Sequence, residues 1–156
     1  MTSNYQDIFS RFLIKIRDYE FANLTEANAN EMMQEWLRSS LSKPQVRRIM
    51  TNLVCVEEIG QMSYDMASPT ADEEADKDFV EELLATQIIV EWLQPRVKTT
   101  TLLNQMVVNS KESKFYSQQA QLSQMQALLA DSKNEVTRML TDHGFIYNSY
   151  LGNVSS

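Results

Sequence analysis

Glycine occurs only three times in 156 residues, at Gly60, Gly144 and Gly152. Most hairpin turns and phosphate-cradling loops need glycine to reach positive φ. A chain this poor in glycine is therefore driven toward helix, and its apolar spacing agrees. From Asn4 to Glu20, Ile8, Phe9, Phe12, Leu13, Ile16 and Tyr19 recur at helical intervals, with Arg11, Lys15, Arg17 and Asp18 on other faces. That is an amphipathic helix, with Asn4 placed to cap it and Asp7 in its first turn. After Phe21-Ala22-Asn23-Leu24, Thr25 can cap a second helix whose stripe is Ala29, Met32, Met33, Trp36, Leu37 and Leu41. Ser42-Lys43-Pro44 ends it, because proline disfavours helical geometry in the residue before it. The two helices read as a hairpin.

The stretch from Gln45 to Met66 supports two readings. Val46, Ile49, Met50, Leu53 and Val54 fit a helical stripe, while Met50 to Val56 is rich enough in β-branched residues for a strand. The balance falls to helix through Val54, and an extended or hairpin segment stays open around residues 50–66. Gly60 and Ser68-Pro69-Thr70 punctuate the region. Thr70-Ala71-Asp72-Glu73 then has the form of a capping box. A helix from Asp72 to about Gln94 carries Phe79, Val80, Leu83, Leu84, Ile88, Ile89, Val90, Trp92 and Leu93 on nearly every face. A helix so apolar all round belongs in the centre of the core. Pro95 should stop or kink it. A short helical or extended piece begins at Thr99, and Ser110 to Ser113 is a polar connector.

The last long element runs from Lys114 to about Asp142. Leu122, Met125, Leu129, Ser132, Val136 and Met139 follow steps of three and four, a heptad-like seam with one polar position. Twenty-nine residues make a helix on the order of 40 Å long, with Gly144 placed to cap it. The expected architecture is all-α: a helical bundle with a long C-terminal helix, forming one domain over residues 1–144. Residues 145–156 follow as an apolar, aromatic tail.

Several function classes fall on composition. The only cysteine is Cys55 and the only histidine is His143, so neither an internal disulfide nor a multi-histidine metal site can form. No apolar run approaches the roughly 18 residues of a membrane span, and the N-terminus has no signal-peptide pattern. These features point to a reducing cytoplasm and no membrane partner, and leave the sequons at Asn23 and Asn153 without meaning. No glycine-rich phosphate loop, GxSxG elbow or HExxH is present, so the chain reads as a non-enzyme with no cofactor and no metal. Cys55 reads as a small buried hydrophobe. His143, beside Asp142, reads as a group stabilised by the dipole at a helix C-terminus.

Charge is the more telling feature. The net charge is −7, which opposes general nucleic-acid binding. Yet ten acids against one base lie between Glu57 and Glu82, while the rest of the chain has thirteen bases and eleven acids. The block lacks the glycine and the ligand alternation of a calcium loop. Glu57, Glu58, Asp65, Asp72, Glu73, Glu74, Asp76 and Asp78 make a candidate electronegative surface, either a solvated face or one that repels nucleic acid or pairs with a basic partner. Arg38, Lys43, Arg47 and Arg48 form a weaker basic cluster, read as a solvated or salt-bridging face. The tail residues Phe145, Ile146, Tyr147, Tyr150 and Leu151 are candidate assembly contacts, folding back on the core or docking on another subunit. Nine methionines suit cores and interfaces alike.

The run Asp78-Phe79-Val80-Glu81-Glu82-Leu83-Leu84, continuing into Ile88-Ile89-Val90-Glu91-Trp92-Leu93-Gln94-Pro95-Arg96-Val97, resembles a segment of the small helical head–tail connector, or neck, proteins of tailed bacteriophages. So does Lys114-Phe115-Tyr116-Ser117-Gln118-Gln119-Ala120 with the helix to Met139. Asp7-Ile8-Phe9 through Tyr19, and then Trp36-Leu37, resemble the opening hairpin of those proteins. The likeness covers most of the chain and is weakest from Met50 to Met66. It implies a structural virion protein: a homo-oligomeric ring, usually twelvefold, beneath the portal. Its neighbours would be the portal protein and tail-side neck proteins, and DNA would pass through without sequence-specific binding. No catalytic residue carries over. The competing class is a helical binding module or regulator, monomeric or dimeric, in which the seam is an internal or dimeric contact. An enzyme with a carboxylate site is a third class.

Overall fold

A computed structural model describes residues 1–19, 26–106 and 112–146, without the side chains of 26, 27, 103–106, 112–118, 145 and 146. The described chain is mostly helical. In order it forms β1 (Thr2–Asn4), α1 (Tyr5–Ile16), α2 (Glu26–Leu41), α3 (Pro44–Arg47), β2 (Met50–Val56), β3 (Gln61–Met66), α4 (Glu73–Met106) and α5 (Glu112–Ile146). The fold is thus not purely all-α, because the strands make an antiparallel sheet in the order β1-β3-β2.

The sheet corrects the helix that the stripe suggested through Val54. Only Pro44–Arg47 is helical there. From Met50 the chain pairs with β3, with Met50 opposite Met66 and Val56 opposite Gln61. Long-range pairing of a β-branched segment overrides a short local stripe. Glu57–Ile59 form a 3-10 turn, and Gly60 follows at φ +63°, the one described glycine whose conformation a side chain would strain. A bulge separates Thr51 from Val54, and Asn52 sits there at φ +52° with its amide donating to Asp65 at 2.9 Å. Asparagine tolerates this region better than most residues. β1, which the periodicity did not indicate at all, pairs Thr2 with Ser63 and Asn4 with Gln61.

α1 starts after Asn4 as its cap position suggested, though the Asn4 amide donates to the Asp7 carboxylate rather than capping the backbone. It buries Ile8, Phe9, Phe12 and Ile16, ends short of Glu20, and leaves Leu13 exposed. α2 ends at Leu41, ahead of Pro44. The cap of α4 falls two residues later than the capping box suggests. Asp72 accepts from the N–H groups of Glu74 and Ala75, both at 3.1 Å. Thr70 accepts from the N–H of Asp72, and the Asp76 carboxylate takes the Thr70 N–H at 2.8 Å. Aspartate caps as well as threonine does.

α4 continues through Pro95 to Met106, so the stop at Gln94 and the separate element from Thr99 are both corrected. An internal proline removes one ladder bond and costs about 3 kcal/mol. α5, which runs antiparallel along α4, offsets that cost. Residues 83–90 are buried without interruption, followed by Trp92 and Leu93, and α4 is the centre of the core as its sequence indicated. Phe12 meets Trp36 and Trp92 edge-on, at 5.9 and 5.8 Å between ring centroids. The heptad-like seam of α5 faces inward. Leu122, Met125, Ser132 and Val136 are buried, and Leu129 and Met139 pack against the same core. Gly144 lies inside α5, with nothing within 4 Å of the place a Cβ would take, so it is not a cap. No helix among the described residues is long and apolar enough to cross a membrane.

Candidate functional site

The acidic block does not form one wall. At the tip of the β2–β3 hairpin, Glu57 accepts from Arg38 at 2.6 and 3.1 Å, which raises the Arg38 pKa, and Glu58 is exposed beside it. Asp65 lies at the far end of β3, where Asn52 donates to it. Six residues of strand span roughly 20 Å, so these two groups are well apart. Asp72 and Asp76 belong to the start of α4. Asp76 is only 5% exposed, so it adds little to an exterior charge. Glu73 and Glu74 are exposed on the first turn of α4, where the helix dipole favours them.

The remaining acids pair with α1. Arg11, on α1, reaches Asp78 at 2.7 Å, Glu81 at 3.4 Å and Glu82 at 3.4 Å, and Lys15 also pairs with Glu82. Burial works against the charge of Arg11, but Glu81 and Asp78 outweigh it and raise its pKa. Glu81 is 3% exposed, and its Oε1 has no hydrogen-bond partner; the Lys77 ammonium lies 3.9 Å from it. The sequence held a trace of this network. Arg11 and Lys15 are four apart on one helix, as are Asp78 and Glu82 on another, and such pairs share a helix face.

A groove of about 630 Å³ lies between the first turns of α4 and the last turns of α5, lined by Ala75, Asp76, Phe79, Met139 and His143 among others. His143 stacks on Phe79 with ring centroids 4.8 Å apart and planes at 14°. It is in the last turn of α5, as its position suggested. Burial nevertheless lowers its pKa, with Asp76 opposing, so the neutral ring is favoured over a dipole-held cation. Phe145 and Ile146 close α5 beside this groove, with side chains not described. Tyr147, Tyr150 and Leu151 fall outside the described residues, so none of the five candidate contacts is placed against a partner surface.

The basic cluster divides in the same way as the acids. Arg38 is held by Glu57, and Lys43 pairs with Glu91 at 3.2 Å, while Arg47 and Arg48 are exposed. Cys55 is exposed on the edge strand, correcting its reading as a buried hydrophobe. Burial raises the pKa of the Tyr5 hydroxyl, and the nearby Cys55 raises it further. Among the described residues, no group of three or more histidine, cysteine, aspartate or glutamate side chains could hold a metal. No protein-family model, curated protein or solved structure matches this chain.

Proposed function

We propose that this chain is a structural subunit of a tailed-phage virion, assembling as a head–tail connector ring beneath the portal around the DNA channel. The observation that carries the reading is the paired α4 and α5, 34 and 35 residues long. Each spans roughly 50 Å, well beyond the body formed with α1 and α2. Burial in α4 thins after Leu93, with Val97 still packed against the core, yet the helix runs on to Met106, and Leu102 is 60% exposed. An arm that outlasts its own core offers lateral surface to neighbouring copies, as a cyclic assembly requires. The sequence resemblance over most of the chain points the same way.

The exposed acids Glu58, Glu73 and Glu74 would keep passing DNA from adhering, since like charges repel. The ring, its twelvefold order, its virion location and its portal and tail-side neck partners all belong to this proposal.

The test is electron microscopy and light scattering of the full chain, alone and with the portal of the phage that encodes it. Rings seated on the portal are the expected result. Removing residues 145–156 should weaken ring formation while leaving the melting temperature of the subunit nearly unchanged. A chain that never associates with the portal would overturn the reading, and truncated protein forming rings as well as the full chain would remove the tail from it.

A further inference from the structure

We propose that the free edge of β2 pairs with β2 of a second copy of this chain, the two strands antiparallel about a two-fold axis. β2 is an outer strand of the sheet. Among the described residues, one row of its backbone N–H and C=O groups therefore has no strand beside it, the arrangement that invites a further strand. Exposed edges are commonly protected by charge, proline, brevity or a bulge. β2 has only the bulge between Thr51 and Val54: its seven residues, Met50 to Val56, contain no charged residue and no proline. β1, at the other edge, has only three residues. Exposure is also out of character for the residues concerned. Val54 is 55% exposed, Val56 41%, and Ile59 at the hairpin tip 65%.

Charge selects the occupant. Arg47 and Arg48 stand immediately before β2 and Glu57 and Glu58 immediately after it, all exposed. Among the described residues no ion pair engages Arg47, Arg48 or Glu58. An antiparallel partner with the same sequence brings its acidic end to this basic end and its basic end to this acidic end, at both ends of the contact. A parallel copy would oppose like charges, which is unfavourable. The contact centres on Leu53, next to the bulge at Asn52, which interrupts the regular edge. The pair is therefore small and its affinity modest. A two-fold contact closes at two copies, whereas a cyclic ring needs head-to-tail contacts. The proposal thus concerns the free protein and stands independently of the connector reading.

Sedimentation equilibrium of the full-length chain, from low micromolar to near-millimolar concentration, tests it. The wild type should move from the 18.0 kDa monomer toward twice that mass. Val54→Lys should stay monomeric throughout. Arg48→Glu alone and Glu58→Arg alone should each weaken the dimer by roughly tenfold or more, while an equimolar mixture of the two recovers it, because each then meets its opposite. Circular dichroism at low concentration verifies that every variant is folded. A wild type that remains monomeric, or one that passes beyond dimer to a ring, overturns the proposal. So do single charge variants that dimerise as well as the wild type, or a mixture that fails to associate.

Discussion

Two apolar stretches of this chain meet opposite fates. Leu83–Leu93 of α4 is buried almost without a break, while in β2 residues Thr51, Asn52, Val54, Cys55 and Val56 are all exposed. Apolar content does not separate them; the number of neighbouring elements does. α4 is long enough to be flanked by α1, α2 and α5, whereas β2 has β3 on one side and, among the described residues, no strand on the other. Burial stabilises in proportion to the apolar area removed from water, so the same kind of residue contributes much in α4 and little in β2.

The contrast is sharpest at Trp92, which is 2% exposed, meets Phe12 and Trp36, and carries the Arg96 guanidinium 5.4 Å from its ring. Trp92→Ala should cost about 3–5 kcal/mol, read from urea unfolding. A loss below about 1 kcal/mol would mean that α4 is not the central element. Next comes the tie between α1 and α4. Arg11→Ala leaves the Glu81 carboxylate buried beside Lys77 alone. A fully buried broken pair costs 3–5 kcal/mol, but Arg11 is one-third exposed, so screening lowers the expected loss to about 1–2 kcal/mol. Adding Glu81→Gln should recover part of it, and a double-mutant cycle with no coupling would show that the pair is idle.

A smaller effect concerns pH. The folded pKa of His143 lies below its ordinary 6.5, so as pH falls the unfolded chain takes up the proton first. Stability from this group is present above about pH 6.5 and declines below it. The melting temperature should fall between neutral pH and about pH 5.5, and His143→Phe should flatten that part of the curve while retaining a ring against Phe79. The smallest effect belongs to the exposed strand. Val54→Thr, which keeps the β-branch, should change monomer stability by no more than about 0.5 kcal/mol. A loss comparable to that at Trp92 would erase the contrast between the two stretches.

The readable parts of the fold were those built on local spacing. The stripe Ile8, Phe9, Phe12 and Ile16, the all-round apolar face of Leu83–Leu93, and the steps from Leu122 to Met139 each repeat within one or two helical turns. β1 carries no such mark: three residues, Thr2 to Asn4, become a strand only because Gln61–Ser63, nearly sixty positions away, lie beside them. Pro95 has the form of a stop, yet the helix continues through it alongside α5. Within the candidate site, the acids were visible as a block, but their division into caps, ion pairs and free surface was not. That division depends on Arg11 and Arg38 arriving from distant segments.

From its sequence alone the chain is committed to being mostly helical, with its centre at Phe79–Leu93 and a heptad-like seam along its last helix, which the fold then turns inward. Scarce glycine and regular apolar spacing act within a few residues, and local steric and solvation preferences are enough to settle them. The tertiary structure decided that Met50–Met66 is a hairpin, that Cys55 and Val54 face outward, that α4 outruns its proline, and that Asp76 and Glu81 of the acidic block are buried while most of its other members stay exposed. Each of those outcomes turns on which residues come to lie beside which across tens of positions, and only the folded chain fixes those neighbours.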